Sequence, residues 1–530
     1  MNQKRYLIKG TLLLTVMGLL TRVAGFFYKI FLSRTIGASE IGLYQVAVPV
    51  FSFCSALCGG GIQTAISKLV AKYRAEHSRH GARRTLFAGL FLSLSSSIPL
   101  SAALYFGAEL VAQRILLEKS CAGLLRILAF SLPFSMIHGC VCGYFMGAKH
   151  IVPPALAQFV EQMIRILFVI LACSWSLKNG IQADARLMAF GALAGEAASA
   201  IYCTLSLYIL SIKKASSEKQ SPVHVPSSGK TLPLSIPGIS LSRLRRLTAS
   251  IRQLLSISVP LSLNRMLMCV LQAIEAALLP QMLRLSGLTS TKSLSVYGTL
   301  TGMALPMILF PTAVTSALGM LLLPAVSEAQ ALHQKKQLSH TANAAFLGGL
   351  LLGSFCLGGF LLFGSEIGSI LFQSELAGIC IRRLALICPL IYISTTLTSI
   401  LHGLGKSASL LLWNLAGFAL RLFCVICLVP AYGISGYLCG IFLDQILLAG
   451  CILVSLRRLR ILTVSISGSL TRMLPPAVAA GGSVFLFLLL VSQKIPARIS
   501  LIIGGGIYCI IFLFSAMPVF TAFSVSDGCR

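Results

Sequence analysis

Acidic side chains are scarce in this sequence, with 14 Asp and Glu among 530 residues against 43 Lys and Arg. Charged residues of either sign make up only 11% and hydrophobic residues 56%, at a mean hydropathy of +0.88. A soluble globular chain is about a quarter charged, so the shortage excludes an ordinary soluble enzyme. The formal net charge of +29 would point to nucleic acid in a soluble chain, but no basic stripe is interleaved with aromatics, and nucleic-acid binding is not expected. Catalytic motifs are missing as well: there is no P-loop, nucleophile elbow or HExxH pattern. His138 and His402 stand alone in apolar surroundings, the setting of packed or capping histidines rather than catalytic ones. The 17 cysteines are scattered through apolar segments, mostly singly. They read as small buried hydrophobes, neither a disulfide framework nor a zinc site. Cys424 and Cys427 form a CxxC, but inside an apolar run with no second pair. The chain is therefore expected to be no enzyme and to hold no resident cofactor.

What is abundant is apolar sequence of spanning length. A bilayer crossing takes about 20 mostly apolar residues. Stretches of that kind fall at 8–32, 41–66, 85–107, 121–147, 153–175, 187–212, 254–281, 296–326, 341–363, 379–404, 409–430, 434–456, 470–492 and 498–522. These are fourteen expected transmembrane helices, which leave no room for a soluble catalytic domain. The first is read as an uncleaved helix, because Arg22 and Lys29 interrupt its far end and no small-residue cleavage site follows. Lys and Arg supply the orientation. Alternate loops, starting with the N-terminus, hold 26 of the 43; the other side holds 12, and five lie within helices. That bias places both termini of the multi-pass chain in the cytoplasm.

Between 213 and 253 the composition changes to Lys, Ser and Pro, followed by the basic run SRLRRLTASIRQ. Such a segment cannot bury a core, and is expected to be a flexible cytoplasmic linker ending in a membrane-surface helix. It divides the chain into a six-helix lobe at 1–212 and a second at 254–456, with two extra helices at 457–530. The lobes are related by sequence. FGAEL at 106–110 matches FGSEI at 363–367, and the same offset of 257 pairs Pro49 with Pro306, Glu118 with Glu375, Arg126 with Arg383 and Lys149 with Lys406. At an offset of 256, MIRILFVI lies on ALRLFCVI, so Arg165 pairs with Arg421. Six helices per copy is even, so the copies run in the same direction, a parallel repeat.

Charges inside spans locate the candidate site. Each costs about 2.5–3.5 kcal/mol at mid-bilayer on insertion scales, so they must face one another or a wet cavity. They are Arg22 and Lys29 in the first span, Glu161 and Arg165 in the fifth, Glu196 in the sixth, Arg265 and Glu275 in the seventh, Arg421 in the eleventh and Asp444 in the twelfth. Gly18, Arg22, Gly25 and Lys29 share one helical face, with glycines that admit a close neighbour; Arg265, Gln272 and Glu275 form another stripe. Glu161 with Arg165 is at minimum an i,i+4 pair that makes its helix tolerable in lipid. Arg421 has Gly417 where Glu161 would align, so no matching pair is expected there. Arginine forks bind phosphate bidentately, more strongly at low dielectric, and the expected substrate-binding set is Arg22, Lys29, Arg165, Arg265 and Arg421. Glu196, Glu275 and Asp444, with Asn414, are candidates for coupling to H+ or Na+; the alternative is that the acids only neutralise the arginines. Gly191 with Gly195 and Gly436 with Gly440 are GxxxG pairs at matching places in the halves, and close helix packing is their expected meaning.

The first span and its exit, GLLTRVAGFFYKIFLSRTIGASEIGLYQ, the SKLVAKY that closes the second, and the half-repeat with its arginine resemble the stage V sporulation protein B-like polysaccharide-transporter and lipid II flippase branch of the multidrug/oligosaccharidyl-lipid/polysaccharide exporter superfamily. The resemblance covers nearly the whole chain. It implies two six-helix lobes around a central cavity, with two extra C-terminal helices packed on the second lobe. The implied activity is alternating-access flipping of an undecaprenyl-pyrophosphate-linked oligosaccharide or peptidoglycan precursor to the outer leaflet, for cell-envelope or spore-cortex synthesis. In that branch, cations of the first span and an arginine of the seventh line the cavity; TRVAGFFYK puts Arg22 there, and Arg265 is a looser match. The pattern departs at Tyr28 and Lys29, where the flippase has a base followed by an acid. A Na+ site of some relatives maps to Glu275, Asn414 and Asp444, with Phe418 standing where a second acid would. Expected partners are the lipid-linked sugar pyrophosphate, membrane lipids and envelope-synthesis enzymes, the chain itself being a monomer. Two other readings stay open: a Na+- or H+-coupled multidrug exporter, and a non-transporting scaffold for envelope assembly.

Overall fold

The computed structural model describes residues 2–219, 241–491 and 497–526, which are almost wholly helical and include no strand. Helices dominate because a backbone crossing hydrocarbon must satisfy its own hydrogen bonds. In chain order they are α1 (Asn2–Thr35), α2 (Ala38–Gly59), α3 (Ile62–Ala75), α4 (Arg79–Leu110), α5 (Cys121–Ala129), α6 (Ser131–Gly147), α7 (Val152–Lys178), α8 (Ala185–Lys219) and α9 (Leu241–Leu285). They continue with α10 (Ser290–Gly298), α11 (Leu305–Leu309), α12 (Thr312–Ala331), α13 (Lys335–Phe372), α14 (Glu375–Leu384), α15 (Cys388–Gly403), α16 (Ser407–Cys427), α17 (Val429–Tyr432), α18 (Ile434–Arg458), α19 (Ile466–Val491) and α20 (Ala497–Ser526). Among the described residues 12 helices are long and apolar enough to cross a membrane, or 13 when α5 and α6, bent by 42°, count as one span. The protein is a multi-pass membrane protein. The thirteenth expected span coincides with α19, a 26-residue helix that stands outside that count.

Several breaks have a local cause. The second expected span divides at Gly59–Gly61 into α2 and α3, and the amide freed there is not wasted: Gly61 N–H donates to Ser262 Oγ at 2.9 Å. Ser78 caps α4 by accepting from Gly81 N at 3.2 Å. The eighth expected span is the most interrupted, running through α10, a π-helical turn at Thr299–Ala304, α11 and α12, with Pro306 and Pro311 at the joints. Proline removes an amide donor and crowds the preceding turn, so it marks such joints.

The basic run after the linker differs from expectation. Residues 220–240 lie outside the described residues, but 241–253 do not form a separate surface helix. They open α9, a single helix of 45 residues that continues into the seventh span. No proline or glycine interrupts the sequence until Pro260, so nothing stops a helix begun at Leu241 from entering the membrane.

The chain forms two compact units. The first comprises Met1–Gly25 and Val46–Ala276, the second Phe26–Gln45 and Ala277–Arg530. In the first, α3, α4 and α6 pack through Ile66, Leu69, Leu86 and Phe145, with Leu254 of α9 against the same cluster. In the second, α13, α15 and α18 meet at Phe346, Leu397, Leu401 and Ile452. The two C-terminal helices α19 and α20 pack on α13 through Phe363, Val484 and Phe512, and Tyr508 Oη donates to Phe355 O at 2.8 Å. Lipid tails are as apolar as these side chains, so close packing and buried hydrogen bonds, not the hydrophobic effect, hold such helices together.

Candidate functional site

Within the first unit a cavity of about 390 Å³ opens among α2, α3, α4, α6, α7, α8 and α9, with His138, Gln158, Glu161, Glu196 and Arg265 on its wall. Four consecutive helices, α6 to α9, deliver its charged groups. Glu161 and Arg165 lie one turn apart on α7, and Arg165 Nη2 donates to Glu161 Oε1. That leaves Glu161 Oε2 turned to His138 of α6, 3.7 Å from Nδ1. Glu196 of α8 brings its own Oε2 to 3.7 Å from the same nitrogen. Ser199, one turn along α8, places Oγ 3.1 Å from Nδ1. No donor among the described residues reaches Glu196 Oε2 within hydrogen-bond distance, although the atom is buried. A buried acceptor without a donor is costly; the His138 imidazole, 3.7 Å away, stands beside it. The cluster holds two carboxylates against the one guanidinium of Arg165, with Arg265 on the same cavity wall.

The approach of α8 to α7 needs glycine. A Cβ at Gly195 would stand 2.8 Å from Glu161 O and 3.3 Å from Arg165 Cβ. The absent side chain therefore sets the depth at which Glu196 meets Glu161. The second unit repeats this device: a Cβ at Gly440 of α18 would lie 2.9 Å from Cys424 Cβ and 3.4 Å from Arg421 O on α16. Each GxxxG pair thus packs against the helix that carries the paired arginine, Arg165 in one unit and Arg421 in the other.

The expectation for Arg421 is corrected here. It does have a carboxylate partner: Arg421 Nη1 donates to Asp444 Oδ2 at 3.3 Å, and its guanidinium stacks over Phe418 at 4.4 Å from the ring centroid. The partner comes from α18, not from the same helix. Gly417 is what admits it, since a Cβ there would fall on Asp444 Oδ1. The glycine that replaces Glu161 in the repeat makes room for an acid from the neighbour.

The remaining expected residues divide between the units. Arg22 is exposed on α1 in the first unit, and Glu275 is buried on α9 in the same unit. Lys29 is half-buried, in the part of α1 that belongs to the second unit, with Arg421, Asn414 and Asp444. Asn414 Nδ2 donates to Leu410 O at 2.8 Å on its own helix. Gly25 admits a neighbour as expected, with Gln162 Nε2 of α7 at 3.3 Å from where a Cβ would stand; nothing lies within 4 Å of the same point at Gly18. Sequence reading passed over His138, because its partners are 23 and 58 positions away and on two other helices. Two sets of donors among the described residues lie close enough to share an ion, His138 with Glu161 and Glu196, and His138 with Cys142 and Cys203.

Comparison with known proteins identifies the fold and the family. The chain is 26% identical over 446 residues to stage V sporulation protein B of Bacillus subtilis (strain 168), covering 84% of this chain and 82% of that protein. It is 29% identical over 200 residues to the lipid II flippase MurJ of the same organism, covering 36% and 37%. Among solved structures, an inward closed conformation of lipid II flippase MurJ superposes with a TM-score of 0.70 at 14% identity, over 97% of this chain and 99% of that one. An inward-facing multidrug resistance MATE family transporter of the MOP superfamily gives 0.60 at 14% identity, over 85% and 98%. At such identities the likeness is one of fold, and the fold is that of these transporters. The model of the polysaccharide biosynthesis protein family matches residues 7–330, well over half of the chain, and the protein belongs to that family.

Proposed function

We propose that the protein flips an undecaprenyl-pyrophosphate-linked oligosaccharide or peptidoglycan precursor from the cytoplasmic to the outer leaflet by alternating access. The observation that carries this reading is the arginine-bearing cavity of the first unit, inside a chain of the polysaccharide biosynthesis protein family. A pyrophosphate is a doubly bidentate target for guanidinium groups in a medium of low dielectric. Arg265 on the cavity wall and Arg165, poised by Glu161, are its readers; Arg22, Lys29 and Arg421 complete the cationic set. Glu161 holds Arg165 until a phosphate competes for the fork. Glu196, Glu275, Asn414 and Asp444 serve coupling by H+ or Na+, with both termini in the cytoplasm. The protein translocates its substrate without changing it chemically, works as a monomer and hands its substrate to envelope-synthesis enzymes. A second reading, a cation-coupled drug exporter, draws support from the MATE fold and from the two carboxylates beside His138, which would favour a lipophilic cation.

The test is flipping of a fluorescent undecaprenyl-pyrophosphate sugar in proteoliposomes. Arg265→Ala and Arg165→Ala are expected to lose flipping while inserting normally. Wild-type flipping by Arg265→Ala would refute its role, and failure of a correctly inserted wild type to flip, with binding of lipophilic cations, would move the function to drug export.

A further inference from the structure

Two cysteines beside the cavity are placed unlike the others. Cys142 lies one turn after His138 on α6, and Cys203 lies one turn after Ser199 on α8. Their sulfurs stand 3.7 Å apart, well beyond the ~2.05 Å of a disulfide. Two thiolates on a tetrahedral zinc ion at Zn–S of about 2.3 Å are separated by about 3.8 Å. A ring nitrogen of His138 is within 4.8 Å of both sulfurs. An i,i+4 pair on one helix and a third donor from a neighbouring helix is a spacing that aims ligands at one point. The donor types then choose the ion. Na+, Mg2+ and Ca2+ take oxygen ligands, whereas an imidazole with two thiolates suits zinc and its neighbours.

We propose that His138, Cys142 and Cys203 bind a zinc-class divalent ion. Its outer shell is already assembled: Ser199 Oγ, Glu161 Oε2 and Glu196 Oε2 surround His138 Nδ1 at 3.1, 3.7 and 3.7 Å. Such partners fix the ring and raise its basicity as a ligand. An entry path exists, because His138 and Cys142 both line the cavity while Cys203 is fully buried behind them. A fourth position on the cavity side takes water. Release of the two thiol protons supplies the negative charge that meets the ion. Occupancy pins α6 to α8 on the face where α8 also meets α7, so the ion braces the wall that presents Glu161 and Arg165. Metal binding needs no flippable lipid, so it is read without transport.

The experiment uses the full-length chain, purified without a polyhistidine tag, stripped with a chelator and titrated with Co2+ and then Zn2+. The expected result is one Co2+ per chain, with thiolate-to-cobalt charge-transfer absorption in the near ultraviolet that Zn2+ abolishes. Cys142→Ser and Cys203→Ser, near-isosteric changes, each remove that absorption. Ser199→Ala weakens binding about tenfold, and Cys451→Ser, on α18 of the second unit, changes nothing. Absence of stoichiometric binding by monodisperse protein overturns the proposal. So does cobalt binding without the charge-transfer band, or a band that survives both cysteine changes.

Discussion

The pairing of Arg421 with Asp444 gives the sharpest stability prediction. Their side chains are 19% and 10% exposed, so the pair is mostly withdrawn from solvent. Removing one partner of a buried pair costs about 3–5 kcal/mol, because the remaining charge loses its counter-charge. Part of the interaction survives in Asp444→Asn: Phe418 still carries the guanidinium at 4.4 Å, a contact worth about 0.5–2 kcal/mol. The expected loss is therefore about 2–4 kcal/mol, or roughly a 30- to 1,000-fold fall in the folded-to-unfolded ratio. Gly417→Ala pushes a methyl group onto the same carboxylate and should cost about 1–3 kcal/mol by overpacking. Replacing both charges, Arg421→Leu with Asp444→Leu, should return stability to within about 1 kcal/mol of the parent, because the desolvation penalty disappears with the pair. The assay is reversible unfolding of the purified chain in mixed micelles, followed by circular dichroism. If Asp444→Asn is as stable as the parent, or the double leucine variant is as unstable as the single, the pair is not what holds α16 to α18.

Other positions give simpler expectations. Gly195→Ala should lose about 1–3 kcal/mol and yield less monodisperse protein, because its Cβ meets Glu161 O at 2.8 Å, whereas Gly107→Ala, with nothing within 4 Å, should be neutral. Asn343→Ala frees the segment after α18: Asn343 Oδ1 accepts from Thr463 N at 3.1 Å and Nδ2 donates to Thr463 Oγ1 at 2.8 Å. The loss is about 1–3 kcal/mol, read as faster limited proteolysis near Thr463. Tyr508→Phe removes the donor to Phe355 O and should cost about 0.6–1.5 kcal/mol, seen as a lower unfolding midpoint with retained insertion.

The sequence alone determined the membrane class, the helical fold, the approximate positions of the spans and the repeat. Hydropathy and proline or glycine punctuation act over one helix at a time, so they are legible without a partner. The Glu161–Arg165 pair belongs with them, since one turn of one helix brings it together. Tertiary structure decided the rest. Which acid answers Arg421 depended on the rotation and depth of α18 against α16, and Gly417, read along its own helix as a missing acid, turned out to be the space that Asp444 fills. His138 gained two carboxylates and a hydroxyl only when α6, α7 and α8 were packed together, and the facing sulfurs of Cys142 and Cys203 arose in the same way. Hydrocarbon exerts no directional pull on an apolar helix face, so depth and rotation are fixed by close contacts such as Gly195 on Glu161, and these cannot be read before the neighbouring helix is known.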